Sequence, residues 1–269
     1  AASACSERCA GVSYYRWLRE LEQNFDARAD ELIETLRALC EKLFVTARMR
    51  LSITGNRQNA EPVLTGLREA LPTGAVPGAP CQAPIRKEGI VIPSEVSFTA
   101  VCGNVHAYSG DLRIACRAAS LGHYWNEIRV QGGAYGTGLL VRETGLVSAY
   151  TYRDPDCRRS RGAIGRTAAY LEAAAASGEA QDVNIIGAIS DAEPLLSPRL
   201  QGAVADAWLL KGMTMDDRCR MRHELLDAGP ASLAACAGQI GSALDSGVVC
   251  ALGPRPQLEA CGDLELQEL

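Results

Sequence analysis

A helix that stops at two glycines and turns straight into a strand leaves the backbone few paths, and Tyr124 to Gly136 (YWNEIRVQGGAYG) spells such a junction. Glycine just past a helix supplies the left-handed residue that closes its carbonyl end, so Gly132-Gly133 mark where the chain leaves the helix. An extended run follows from Thr137 to Tyr150. Arg129 on the last helical turn and Tyr135 at the strand entry flank this reversal, which is sharp enough to aim both at one point. A guanidinium donates two hydrogen bonds in a fixed fork and a tyrosine donates one, so the pair suits the grip of a carbonyl oxygen. The structural alternative is an arginine paired to a nearby acid such as Glu127 and a tyrosine in the core.

Upstream, Leu18, Leu21, Phe25, Leu32, Leu36, Leu39 and Leu43 recur at three-and-four spacing between charges. That spacing predicts a long amphipathic helix over Tyr15 to Phe44, broken near Asn24 and packed on a core, with Asp26 capping its second segment. Arg48 to Thr54 alternates as a half-buried strand does, and Glu61 to Leu71 reads as a helix with Pro62 in its first turn. Pro72 to Gly89 has four prolines and three glycines with little periodicity, which makes it a linker.

Beyond the linker, strands are expected over Ile90 to Val101 and Leu139 to Tyr152, the latter turning at Thr144-Gly145, with a helix over Gly110 to Arg129 between them. Asp154-Pro155-Asp156 opens a helix to about Ala176, with Asp at the cap and Pro at the first helical position. A short element over Ala180 to Ser190 precedes helices over Ser197 to Lys211, Asp216 to Leu226 and Leu233 to Leu244. Val248 to Leu252 is a closing strand, and the acidic tail Leu258 to Leu269 reads as helical or loose. The pattern predicts an α+β fold, an antiparallel sheet with helices on one face.

The 27 Lys and Arg against 32 Asp and Glu leave no basic surplus for nucleic acid, and no apolar run reaches the roughly 18 residues of a spanning helix. The first residues, AASACSERCAGVSYY, are not a signal peptide as they stand. Eleven cysteines is an odd number without a C-x-x-C pair. Cys40, Cys102, Cys116, Cys236 and Cys250 fall in apolar stretches, where a reduced thiol behaves as a small buried hydrophobe rather than part of a disulfide or metal framework. A cytoplasmic setting is therefore expected, and abundant Ala and Arg point to a bacterial gene. Gly133-x-x-Gly136-x-Gly138 comes after a helix and before a strand, the wrong order for a nucleotide loop. His106, His123 and His223 include no two residues four apart, and His223 with Asp227 offers two ligands where zinc needs at least three.

NEIRVQGGAYG, together with Tyr152-Arg153-Asp154-Pro155, IIGAISDAEPLLSP and RCRMRHELL, resembles the presequence-protease branch of the insulinase/pitrilysin zinc metallopeptidases. The likeness runs with interruptions from about Ser13 to Ala251 and is to the C-terminal part only. Asp156 stands where the family usually has asparagine. The resemblance implies a metallohydrolase-like fold, with residues 1–72 the tail of a third domain, 73–90 a linker and 91–269 the fourth domain. It implies Arg129 and Tyr135 as contacts to the substrate carbonyl, reached across a closed chamber, with Gly132 and Gly133 between them at the substrate site. Phe98 and Tyr108, on the strand and loop before the Arg129 helix, are further candidates for substrate contact, while Tyr152-Arg153-Asp154-Pro155 reads as architecture that leaves Arg153 free to form a salt bridge inside the chamber. The family's H-x-x-E-H motif is absent, so no metal or cofactor is expected in this chain, and zinc is expected in the N-terminal half of the full-length protein. The expected partners are that half and unstructured peptides, not nucleic acid or membrane, and the chain alone should be inactive. The alternative is a zinc-free structural or peptide-binding module of the same fold.

Overall fold

The structure is a computed structural model that describes residues 9–49, 51–70, 72–74 and 87–269. Cys5, Arg50, Leu71 and most of the proline-rich linker, 75–86, lie outside the described residues. The chain divides into two compact units, residues 1–84 with 196–212, and residues 85–195 with 213–269.

The first unit is helical. Helices α1 (Val12–Gln23) and α2 (Phe25–Leu43) meet at Asn24, whose side-chain amide donates to the Glu20 carbonyl, so Asn24 and not Asp26 marks the break. Helix α3 (Arg57–Ala70) begins earlier than expected and carries Pro62 in its interior. No strand forms over residues 51–54, because a strand needs a neighbour to take its hydrogen bonds and the described part of this unit has none. Among its described residues Leu21 and Val45 are the buried apolar side chains, whereas Leu18, Phe25, Leu36, Leu39 and Leu43 stay exposed, against the expected core packing. Some seventy residues cannot enclose that stripe by themselves.

The second unit is built on a six-stranded sheet. Its strands are β1 (Lys87–Val91), β2 (Ser97–Asn104), β3 (Gly136–Val141), β4 (Leu146–Asp154), β5 (Val248–Gly253) and β6 (Glu265–Glu268). They lie in the order β3-β4-β2-β5-β1-β6. The β3-β4, β4-β2 and β2-β5 pairings are antiparallel, as expected, but β1 pairs parallel with both β5 and β6, so the sheet is mixed. Two strands replace the single one expected over Ile90 to Val101, since Pro93 has no donor for a ladder. The acidic tail supplies edge strand β6 and not a helix; carboxylates suit an edge, which one neighbour covers.

The helices are α4 (Gly110–Ala118, continued to Val130 in wider π-type turns), α5 (Cys157–Gly165), α6 (Thr167–Ser177), α7 (Asp182–Ala192), α9 (Met215–Leu226), α10 (Pro230–Asp245) and α11 (Arg255–Ala260). Helix α8 (Pro198–Lys211) belongs to the first unit. Ser109 caps α4 by accepting from the Leu112 amide, and the Glu224 carboxylate on α9 accepts from the Gly110 amide at 2.7 Å. Asp156 caps α5 by accepting from the Arg159 amide, so the cap lies after Pro155 rather than at Asp154.

One face of the sheet meets the helices. Val101, Leu139, Val147, Ala149 and Val249 join Leu112, Ile128, Leu171, Leu233 and Ile240 in one buried cluster. Two crossings are close enough to require glycine: a Cβ on Gly103 of β2 would stand 1.7 Å from the Ala243 carbonyl oxygen of α10, and one on Gly247 would stand 2.4 Å from the Cys102 carbonyl oxygen. The buried tyrosine is Tyr124, bonded to Thr167 at 2.7 Å; Thr167 already donates to the Ile164 carbonyl, so Tyr124 is the donor. Burial pushes its hydroxyl pKa up. The opposite face, with Phe98, Tyr150, Tyr152 and Leu140, is half-exposed or exposed.

Candidate functional site

The helix-to-strand junction closes as its two glycines predict, with one more residue in the ring than an α-helix would use. The Gln131 amide bonds to the Asn126 carbonyl, a π-type step, and the Gly133 and Ala134 amides then bond to the Arg129 and Ile128 carbonyls at 3.0 and 3.2 Å. Gly133 has φ of +80°, and a Cβ on Gly132 would lie 2.4 Å from the Ile128 carbonyl oxygen. Gly133→Ala should lower stability by about 1–2 kcal/mol, the cost of a left-handed L-residue, because its Cβ meets nothing nearer than Pro155 at 3.5 Å. Urea unfolding of the variant checks this.

Tyr135 leaves the turn with 66% of its surface exposed, so it is not a core tyrosine. Its amide donates to the Arg153 carbonyl, and its ring lies 6.0 Å from that of Tyr152. Tyr152 also meets Phe98 edge to face at 5.2 Å. The Arg153 guanidinium stands 6.0 Å from the Tyr135 ring and 5.8 Å from that of Tyr152.

A β-bulge makes this grouping possible. Ser97 faces Asp154 while Thr99 faces Thr151, so Tyr152 and Arg153 together oppose Phe98. Both are exposed, although strict alternation would turn one of them inward. Arg153 adopts φ of +50°, the one positive value among the described non-glycine residues. Strain of this kind costs about 1–3 kcal/mol and persists where the surroundings impose it.

Across the sheet the tyrosines use space left by missing side chains. Gly138 faces Tyr150 and Gly136 faces Tyr152. A Cβ on Gly138 would come within 2.9 Å of the Tyr150 ring. The G-x-G of β3 is therefore a seat for the Y-x-Y of β4.

Arg129 has a different neighbour. Its guanidinium lies over the Trp125 ring, 4.1 Å from the centroid, one turn back along the helix. Glu127 pairs with Arg166 at 3.4 Å and not with Arg129. No hydrogen bond or ring contact joins Arg129 to Tyr135 among the described residues, so the two flank the turn without meeting. Tyr108 follows the Asn104 end of β2, whereas Phe98 is near the other end, about 20 Å away at strand rise. The structure thus gathers Tyr135, Tyr152, Arg153 and Phe98, and leaves Tyr108 apart. Sequence reasoning took Tyr152 and Arg153 for architecture; the signal available was Y-x-Y opposite G-x-G.

The histidines do not converge. His123 is buried, donates from Nε2 to the Ala163 carbonyl at 2.8 Å, and stacks on Tyr170. Among the described residues no group of three or more His, Cys, Asp or Glu side chains could hold a metal ion. These donors do not fit a zinc site. No helix of the described residues is long and apolar enough to cross a membrane.

The family described as PreP C-terminal domain matches residues 87–249, more than half of the chain and all of this site. The chain belongs to this family. As a PreP C-terminal domain it resembles presequence protease 1, chloroplastic/mitochondrial, of Arabidopsis thaliana, with 25% identity over 96% of the chain and 25% of that protein. Protein HypA of Clostridium perfringens is 23% identical over 97% of the chain and 28% of its own length. The chain therefore spans about a quarter of the length of the curated relatives it matches. The fold is shared with a peptidase M16 inactive domain from Pseudomonas fluorescens, at TM-score 0.51 and 15% identity, covering 74% of this chain and 51% of that one. It is shared also with pitrilysin, at TM-score 0.53 and 13% identity, covering 78% of this chain and 25% of pitrilysin.

Proposed function

We propose that this chain is the zinc-free, substrate-contacting C-terminal portion of a larger metallopeptidase that degrades unstructured peptides in a closed chamber. The observation that carries the reading is the exposed pairing of phenol and aromatic rings at the helix-strand turn, inside the region that matches the PreP C-terminal domain. A relative named as a presequence protease supports a peptide substrate.

The chemistry assigned to this chain is binding. The Tyr135 hydroxyl is exposed and donates to a peptide carbonyl oxygen as it gains charge. Arg129, held over the Trp125 ring, offers the guanidinium fork to the same strand of substrate. Phe98 and Tyr152 back Tyr135 with apolar surface, which keeps water from one side of the contact and accepts many side chains. Extended peptides are preferred because backbone, and not side-chain identity, meets these donors. Zinc would be held by the N-terminal half, since the histidines here are dispersed or committed to the core.

Zinc content and peptide hydrolysis, measured on this chain and on the product of the complete gene, test the proposal. The complete protein should bind one zinc and cleave unstructured peptides while this chain does neither. If the complete protein lacks both properties, the chain is a structural or peptide-binding module and Arg129 and Tyr135 lose their catalytic meaning.

A further inference from the structure

Helix α5 presents Cys157 and, one turn later, Arg161 to the turn after α11. The Cys157 Sγ lies 2.7 Å from the Cys261 Sγ, although 104 residues separate the two. An S–S bond is about 2.05 Å, so well under an ångström of approach would join them. Arg161 fixes the same turn: Nη1 donates to the Cys261 carbonyl at 3.2 Å, and Nη1 and Nη2 grip the Asp263 carboxylate at 2.5 and 3.1 Å. Lys87 Nζ holds that carboxylate from β1 at 3.1 Å. The turn that carries Cys261 is thus tied to α5 and β1 by charge-assisted bonds, which keep its sulfur beside that of Cys157.

We propose that Cys157 and Cys261 form an oxidation site that takes low-molecular-weight disulfides, with Cys261 as attacking thiol and Cys157 as resolving thiol. Access sets the order, because Cys261 is half-exposed and Cys157 is buried. The Cys261 thiolate attacks one sulfur of a disulfide such as glutathione disulfide, that S–S bond breaks, and one glutathione leaves as thiolate and takes a proton. Cys157 then loses its proton to solvent and its sulfur attacks the Cys261 sulfur, expelling the second glutathione thiolate. Two protein thiols are oxidised and one glutathione disulfide is reduced to two thiols.

The acid-base setting supports these roles. The hydrogen bond from Cys157, with those from Arg161, draws Cys261 down to about 7 against the opposing effects of burial and Asp263. The same contact, burial and the nearby Asp154 carboxylate push Cys157 up, so it keeps its proton until the second step. Near neutral pH much of Cys261 is therefore the nucleophilic thiolate.

The test is made on the 269-residue chain equilibrated with glutathione disulfide, its remaining thiols blocked with N-ethylmaleimide, and digested without reductant for mass spectrometry. The expected result is a Cys157–Cys261 linked peptide lighter by two hydrogens, dominant over other pairings, reversed by dithiothreitol, and absent from Cys261→Ser. The oxidised chain should melt at least about 5 °C above the reduced chain, a shift that Cys261→Ser does not show. Recovery of both residues as maleimide adducts, or of Cys261 as a lasting glutathione adduct beside blocked Cys157, overturns the proposal. The peptide map of the unaltered chain decides the matter even if a serine variant folds poorly.

Discussion

Tyr135→Phe in the full-length protein should lower kcat for an unstructured peptide by about 100-fold while leaving the melting temperature almost unchanged. The hydroxyl is the only atom removed, the ring keeps its place 6.0 Å from Tyr152, and 66% of the residue is exposed, so folding has little to lose. A donor that acts on the developing oxyanion changes kcat, whereas a donor that grips bound peptide equally at every stage changes KM. Arg129→Lys separates charge from geometry at the other side of the turn, since lysine keeps the cation but neither the fork nor the planar group over the Trp125 ring. Unchanged turnover in Tyr135→Phe and Arg129→Ala alike would sink the proposed substrate contact.

Gly103→Ala should destabilise the second unit by about 3 kcal/mol or more, the largest effect expected from adding a single methyl group to this fold. Its Cβ would stand 1.7 Å from the oxygen and 2.4 Å from the carbon of the Ala243 carbonyl, both backbone atoms of α10 that cannot rotate away. Relief requires lifting the end of α10 from β2, which opens Ala243 and Leu244 from Val101 and Val249 in the core. Gly247 resists the same movement, because its backbone already lies against the Cys102 carbonyl. Urea unfolding with an unchanged m-value would register the loss in midpoint. A drop below about 1 kcal/mol would mean that the helix slides freely over the strand.

The elements legible in the sequence were those whose signals are local. The double glycine after Val130, the turn at Gly145 and the apolar spacing of α9 and α10 each depend on residues within a few positions, and each element lies where its spelling puts it. Strand β6 was not legible, because Glu265 to Glu268 acquires its identity only from β1, far away in sequence. The same holds for residues 51–54, whose alternation has no neighbour to satisfy it. At the candidate site, the junction singles out Tyr135 and Arg129 in the sequence, but not the company of Tyr135. Tyr152 and Arg153 join it through a register shift against β2, and no short-range pattern reports a shift between two strands separated by a helix.

That shift ties two features to a single count of residues. After the doubled pair Tyr152-Arg153, β4 runs in opposite phase, so Asp154 points inward, is fully buried, and accepts the Asp156 amide at the threshold of α5. Flattening the bulge with both residues kept would restore even alternation and swing Asp154 toward solvent, and α5 would then lose the carboxylate that orders its approach. The grouping of Tyr152 and Arg153 on the outer face and the inward place of Asp154 therefore depend on the same bulge.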